Sequence, residues 1–331
     1  MTFFFHYMRH KLLIFTIICL KTKHGVGMKQ HFYMFVIIIF FVMMLCFPSE
    51  TFIGAQKGLL LWFQTLLPTL LPFIVLSNLL VHTNSMNYLT KVLSPVLKRM
   101  FRISKNGCYA VFVGFLCGYP MGAKVIDDLI ISNRISHKEG AYLLSFCNNT
   151  SPMFIISFIV MQNLKRSDLL LGTLLILILS PVLCSFLFRK FYKIEYPCRT
   201  TQNTEEESIL FNFRIIDDCI MNGFETITKI GGYVILFSII LKLASHVSAS
   251  FFLSVLEISN GIPYILSLKN SFNLSYPAIL ALTSFGGCCA LAQTNSMIQA
   301  SKLPIIPYII QKLITAMVTS FLALLYIQFI H

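Results

Sequence analysis

The chain has 331 residues, of which 56% are hydrophobic and 12% are charged, and its formal net charge is +13 at pH 7. Soluble globular proteins average about 25% charged residues, so this composition excludes an ordinary soluble domain and is typical of a polytopic membrane protein. The positive charge does not indicate nucleic-acid binding, because the lysines and arginines lie in short loops between apolar segments and no stacking motif accompanies them.

The first segment differs from the rest of the chain. Residues 2–20 are apolar but are interrupted by Arg9, His10 and Lys11, and Met28 precedes a continuous apolar run. We therefore treat residues 1–27 as an N-terminal extension. Three interpretations stay open: a translation start at Met28, a short extra anchor, or a signal-like segment.

Apolar segments long enough to span a bilayer recur along the chain. A spanning helix needs about 20 apolar residues. The candidates are 32–48, 58–82, 140–162, 169–188, 221–245 and 303–330. Three more segments are apolar but interrupted, namely 108–132, 250–268 and 277–297. We predict an all-α membrane protein with about eight spanning or re-entrant helices.

The distribution of basic residues predicts an orientation. Loops 83–107 and 189–219 are basic and should be cytoplasmic, as should the residues before the first firm helix. Residues 48–57 should then form an external loop. These assignments are compatible only if segment 108–132 enters and leaves on the cytoplasmic side, as a re-entrant hairpin.

Two halves of the chain resemble each other. The polar segment 200–219 would be a cytoplasmic linker between residues 28–199 and residues 220–331. Residues 63–77 align without a gap with residues 224–238: Phe, Gln or Glu, Thr, a mid-helix Pro or Gly break, and an apolar run ending in Ser. Gly114-Phe115 similarly aligns with Ser284-Phe285. Because the charge rule runs the two long helices in opposite directions, we predict inverted repeats with broken helices at the midplane.

Three polar clusters lie within apolar segments, and we expect them to meet near the midplane. The first is Gly118-Tyr-Pro-Met-Gly-Ala-Lys124, where a broken hairpin would expose backbone N–H groups and Lys124 adds a cation. Lys124 could instead snorkel to lipid headgroups or pair with Asp127 or Asp128.

The second cluster places four polar side chains before Pro152, and the third contains Gly286-Gly287. Freed carbonyls, amides and hydroxyls could bind a ligand or a sodium ion, although polar side chains can also simply join helices, and glycines can simply allow close packing. The candidate substrate-binding residues are Gly118, Tyr119, Gly122, Lys124, Asn148, Asn149, Thr150, Ser151, Ser284, Gly286, Gly287 and Gln293.

No enzyme motif competes with a binding function. The chain has no H-E-x-x-H, G-x-S-x-G or P-loop motif, and its ten cysteines and eight histidines show no metal-ligand spacing. We therefore predict a protein that is not an enzyme, with no catalytic residue, metal site or cofactor, apart from a coupling ion that could be sodium or a proton.

These motifs resemble a known family, the YlbJ-type sporulation integral membrane proteins (stage V sporulation protein VV), of the nucleoside-recognition or Gate domain group. The matching stretches are 66–72, 114–124, 146–152, 229–232 and 284–287. The resemblance implies a permease related to concentrative nucleoside transporters and a role in endospore formation, moving dipicolinate from mother cell toward forespore. The chain would then lie in the cell membrane or the outer forespore membrane. The chain is shorter than typical members of that family, chiefly in the central linker.

Lys124 and helix ends would suit the carboxylates of dipicolinate, and Tyr119 its ring, so a small-molecule anion is the predicted substrate. A neutral nucleoside would depend on Asn148, Asn149 and Gln293 instead. The third interpretation is a non-transporting membrane scaffold of a spore-envelope complex. Predicted partners are the lipid bilayer and the anionic substrate, with homo-oligomers or other spore-membrane proteins left open and nucleic acid excluded.

The orientation can be tested by cysteine-accessibility labelling. Single cysteines placed within residues 90–105 and within residues 195–215 should react from the same compartment, because both loops are basic. Labelling from opposite sides would contradict both the re-entrant hairpin and the inverted repeat.

Overall fold

A computed structural model describes residues 27–83, 85–194, 212–244 and 255–330 of the chain, and every regular element within these ranges is helical. This confirms the all-α class. The extension before residue 27 and most of the predicted linker at 200–219 lie outside the described residues. The chain divides into two compact units, residues 1–52 and residues 53–331. The division into halves at the linker stays a prediction.

Fourteen α-helical segments follow one another in the described residues. They are α1 (Gly27–Cys46), α2 (Pro48–Leu61), α3 (Leu67–His82), α4 (Met86–Phe101), α5 (Lys105–Cys117), α6 (Met121–Ile131), α7 (His137–Cys147), α8 (Pro152–Phe154), α9 (Leu170–Phe191), α10 (Phe213–Ala244), α11 (Ile258–Ser267), α12 (Phe272–Phe285), α13 (Gly287–Met297) and α14 (Ile305–Ile330). A π-helical turn, Trp62–Leu66, joins α2 to α3, and a second π-helical stretch, Ile155–Leu164, continues α8.

Six helical stretches are long and apolar enough to cross a membrane. They are Pro48–Leu80, His137–Leu164, Ser167–Phe191, Phe213–Ala244, Phe272–Met297 and Ile305–Phe329. These correspond to six of the predicted apolar segments. The total of about eight spanning or re-entrant helices, and the inverted repeat, stay predictions.

Two local expectations were wrong. Residues 48–57 are not a loop, because they form the first part of α2. Pro48 is the first residue of that helix, a position where its missing N–H removes no helical hydrogen bond. Gly231-Gly232 do not break α10, which runs without interruption for 32 residues. A Cβ on Gly231 would lie 2.6 Å from the Trp62 indole nitrogen, so this glycine serves close packing.

Helix α10 runs antiparallel to the π-helical turn at Trp62–Leu66 and to α3. The Trp62 indole nitrogen donates to the Ile227 carbonyl at 2.8 Å, and the Asn78 amide donates to the Cys219 carbonyl at 3.4 Å. Residue numbers thus rise on one helix as they fall on the other. The opposite directions predicted for these two similar helices are observed.

Helices α5 and α6 form a hairpin. The Asn106 amide donates to the Arg134 carbonyl at 3.0 Å, which ties the beginning of the hairpin to the turn after it. Arg189, near the end of α9, donates to the Met100 carbonyl at 3.0 Å. Met100, near the end of the basic segment 83–107, and Arg189, at the start of the basic segment 189–219, therefore lie at the same end of this unit. This is the geometry that the charge argument requires; which membrane face it occupies stays a prediction. The first of these segments is not a loop over most of its length, because residues 86–101 form α4.

Large apolar side chains are exposed on the outer faces of the helices. Leu171 and Leu175, one helical turn apart on α9, are 70% and 60% exposed, and Met317 on α14 is 73% exposed. Such surfaces suit lipid, because lipid tails solvate them while the helix satisfies its own backbone hydrogen bonds.

The packing of the hairpin generates a stability prediction. A Cβ on Gly114 would collide with the Cys147 carbonyl oxygen, a backbone atom that cannot move away cheaply. We expect Gly114→Ala to destabilise the protein by about 3 kcal/mol, measured as a lowered thermal unfolding midpoint in detergent. Gly232→Ala is the matched control, because nothing lies within 4 Å of its added Cβ. Equal midpoints for the two variants would contradict this packing.

Candidate functional site

Two spanning helices are interrupted, and their interruptions touch. The first gap lies between Cys147 and Pro152 and the second lies at Gly286. The Thr150 hydroxyl, in the first gap, donates to the carbonyl of Thr283 beside the second gap at 2.9 Å. One side chain thus joins the two breaks inside the helical bundle.

The sequence accounts for both interruptions. Proline disfavours helical backbone at the preceding residue, and Ser151 is extended and accepts a hydrogen bond from the Phe154 N–H at 3.3 Å, capping the helix that resumes. Gly286 and Gly287 have φ angles of +90° and +78°, which side-chain-bearing residues rarely adopt. The predicted breaks at Asn148–Pro152 and Gly286-Gly287 are confirmed.

The tip of the α5–α6 hairpin docks onto the first break. The Tyr119 N–H donates to the Asn149 carbonyl at 2.6 Å. A Cβ on Gly118 would lie 2.6 Å from the Ser151 nitrogen, and Gly118 has a φ of +80°. Gly122 lies within α6, where its lack of a side chain allows close approach to the Cys147 carbonyl. The glycines of the first cluster therefore let two backbones meet.

A different segment meets the second break. A Cβ on Gly287 would lie 3.0 Å from the Val255 carbonyl oxygen. The neighbouring Glu257 is 6% exposed, and its carboxylate accepts from the N–H groups of Ser259 at 3.0 Å and Asn260 at 3.1 Å. Glu257 thus caps α11 and brings a carboxylate beside the break.

A cavity of about 60 Å³ lies where these segments meet. One water needs roughly 10–15 Å³, so the cavity has room for a few waters, and a larger solute would require the site to open. Its polar lining is Thr69, Tyr119, Thr150, Ser151, Glu257, Ser259 and Gln293. Its apolar lining includes Leu61, Leu66, Phe154, Ile230 and Val234.

A second polar group lies behind the first break. The Asn148 amide donates to the hydroxyls of Thr294 at 2.9 Å and Tyr308 at 2.8 Å, and its Oδ1 accepts from the Ala123 N–H at 3.3 Å. Asn148 therefore joins the hairpin, the break and the last two spans.

Lys312, on α14, completes this second group and was missed by the sequence analysis. Its side chain is 2% exposed, and its ammonium group donates to the Asn148 carbonyl at 3.1 Å and the Asn149 Oδ1 at 3.4 Å. Among the described residues no carboxylate lies within 4.0 Å of it. A lysine within an apolar span, two turns after its first residue, was the signal that could have identified it.

Lys124 lies elsewhere. Its ammonium group pairs with Asp128 at 2.9 Å, one turn along α6, and it does not line the cavity. This is the local salt bridge that the sequence allowed as an alternative. The charged side chain that lines the cavity is the carboxylate of Glu257.

Most of the predicted site residues lie around the two breaks, but only some of them line the cavity. Tyr119, Thr150, Ser151, Gly286 and Gln293 line the cavity. Asn148 and Asn149 lie behind it with Lys312. Gly118, Gly122 and Gly287 shape the backbone contacts, and Ser284 is buried beside the second break.

Comparisons with known proteins agree with the motifs. Residues 63–165 match the family model described as Gate, nucleoside recognition. The chain is 28% identical over 230 residues to the sporulation integral membrane protein YlbJ of Bacillus subtilis (strain 168), covering 63% of this chain and 55% of that protein. The match thus spans about half the length of that relative. No solved structure matches the chain.

These matches confirm the resemblance to the YlbJ-type group, with its Gate domain. Together with the six apolar helices, they establish an integral membrane protein. The matched residues 63–165 include the α5–α6 hairpin and the first break, so the family match covers one side of the cavity.

The contact between the two breaks generates a prediction. Thr150→Val removes the hydroxyl that reaches the Thr283 carbonyl while keeping the side-chain shape, so we expect a loss of about 1 kcal/mol of stability. Thermal unfolding of the purified protein measures it. Thr228→Val, at an exposed position on α10, is the matched control and should change little. A Thr150→Val midpoint equal to that of Thr228→Val would contradict the contact.

Proposed function

From its Gate domain and its likeness to a sporulation membrane protein, we propose that this integral membrane protein is a permease for a small organic anion. Its expected substrate is dipicolinate, carried toward the forespore. The proposal depends above all on one observation, the contact of two broken helices around a cavity that is lined by both apolar and polar side chains. Broken helices at the midplane form substrate sites in secondary transporters. A scaffold would gain nothing from such breaks.

The helix ends at the cavity favour an anion. The helical stretch 152–164 and α13 both begin at the cavity, at Ser151 and Gly286 respectively. Helix N-termini carry partial positive charge and unpaired N–H groups, which stabilise carboxylates. Tyr119 lines the same cavity and offers an aromatic face to a ring-bearing substrate. Lys124 has no part in this proposal.

A nucleoside is the second candidate, and Glu257 favours it. A buried carboxylate in the cavity can accept hydrogen bonds from sugar hydroxyls, whereas it repels an anion. The amide of Gln293 could similarly recognise a base. The name of the matching family, nucleoside recognition, points the same way.

Deleting the protein tests the role in spores. Spores that lack it should contain little dipicolinate, and dipicolinate added during sporulation should restore part of their heat resistance. Normal dipicolinate content in the deletion strain would refute the proposed substrate.

Glu257→Gln separates the two substrates by the sign of its effect. Removing the negative charge should tighten dipicolinate binding about tenfold, or roughly 1.4 kcal/mol, because an unfavourable charge pair is lost. The same change should weaken nucleoside binding, because a strong acceptor is lost.

The measurement is competition by each solute in proteoliposome exchange assays. The result is expressed as the ratio of the apparent affinity for dipicolinate to that for the nucleoside, so that a general loss of activity cancels. Lys124→Gln is the control and should leave the ratio unchanged, since Lys124 lies outside the cavity. A ratio that moves toward nucleoside in Glu257→Gln would exclude the anion assignment.

A further inference from the structure

We propose that Lys312 is the coupling-ion site of this permease, and that its ammonium group takes the place of a sodium ion, so that transport is driven by protons. This inference rests on the proposed permease function and identifies the proton gradient as the energy source for transport. It goes beyond the family match, which covers residues 63–165 and does not reach Lys312.

The position of the ammonium group is that of a bound cation. Unwound backbone carbonyls and the C-terminal ends of half-helices coordinate the driving ion in secondary transporters. Asn148 directly follows the last residue of α7, and its carbonyl accepts from Lys312 at 3.1 Å, with the Asn149 Oδ1 at 3.4 Å. Two oxygens of an interrupted helix therefore face the charge, as they would face sodium.

Among the residues that the structure describes, this charge has no permanent counter-ion. Helices α7, α9 and α12 pack against α14. The Cys184 thiol of α9 acts electrostatically on Lys312, and the Tyr308 hydroxyl, one turn earlier on α14, accepts from the same Asn148. Asn148 and Asn149 directly follow Cys147, the last residue of α7. The titratable side chain of α12 is Tyr276, whose hydroxyl bonds to Thr173. Glu257 and Cys289 line the cavity on the other side of the break. Within the described part of the chain no carboxylate lies within 4.0 Å.

A buried cation without a counter-ion is costly, and two processes can relieve the cost: loss of the proton, or arrival of an anion nearby. The break connects Lys312 to the cavity through two neighbouring residues. Asn149 binds the ammonium group with its side chain and the hairpin tip with its carbonyl, and Thr150 reaches the second break. An anion in the cavity thus favours protonation of Lys312, and protonation of Lys312 in turn favours binding of the anion.

The consequence is coupled movement. Lys312 takes up one proton from the water on one side when the anion binds, and releases it to the water on the other side when the anion leaves. No sodium ion is needed, because the lysine fills the oxygen-lined position.

The test uses the full-length protein in proteoliposomes with labelled dipicolinate, a clamped membrane potential and an internal pH dye. An inward proton gradient of about one pH unit should drive roughly tenfold accumulation for one proton per anion, with or without sodium. Dipicolinate entry should acidify the interior. Accumulation that requires sodium, or entry without acidification, would overturn the proposal.

Two variants separate coupling from folding. Lys312→Met removes the charge and should exchange dipicolinate across the membrane without accumulating it against a gradient. Asn149→Asp keeps Lys312 but gives it a permanent carboxylate in place of the Asn149 Oδ1, which should hold the proton and likewise abolish gradient-driven accumulation. Lys124→Gln is the control and should accumulate like the wild type.

The outcomes are distinct. Exchange without accumulation in either variant supports the proposal, and proton-driven accumulation in both contradicts it. If neither variant folds, the wild-type sodium and acidification measurements decide. Absence of any exchange by the wild type would refute the proposed permease, and the coupling site with it.

Discussion

The structure depends on one constraint: backbone groups freed inside a membrane-spanning helix must find partners within the protein. Lipid offers none, so an interrupted helix is stable only where protein or enclosed water surrounds it. Here each interruption is met by another segment. The hairpin tip donates from Tyr119 to Asn149, the Thr150 side chain reaches the Thr283 carbonyl, and Val255 approaches Gly287. The same contacts that satisfy the backbone also enclose the cavity.

The arrangement of the interrupted helices also sets the electrostatic potential around the cavity. The N-termini of two half-helices point toward the cavity, while the carbonyl end of α7 points toward Lys312. The cavity thus faces the partial positive charge of helix N-termini, and the buried lysine faces the partial negative charge of a helix C-terminus. The carboxylate of Glu257 is held by the N–H groups that begin α11, which offsets part of its charge. A site for an organic anion and a site for a cation can therefore lie on the two sides of one break.

Close backbone approach explains Gly114 and Gly231, whereas Gly118, Gly286 and Gly287 also adopt positive φ angles. Gly114 and Gly118 allow the hairpin to touch the first break, and Gly231 makes room for the Trp62 indole. Gly231 looks like a helix breaker in the sequence, yet α10 continues through it. A glycine within an apolar sequence can therefore mark either a helix break or a close contact between helices. Only the packing of the neighbouring helix distinguishes the two cases.

The sequence by itself determined the helical membrane class and the two breaks, because apolar length, Pro152 and the Gly286-Gly287 pair act locally. It also predicted a hairpin at residues 108–132, and the contact between Asn106 and Arg134 shows that α5 and α6 form one; that the hairpin is re-entrant stays a prediction. The sequence could not determine which lysine lies at the site. Lys124 and Lys312 both lie within apolar surroundings in the sequence, but Lys124 finds Asp128 one turn away, whereas the partners of Lys312 come from residues more than 160 positions earlier. Glu257 likewise reaches the cavity only through packing of distant segments. Local physics decided where the helices end, and tertiary contacts decided which side chains those ends face.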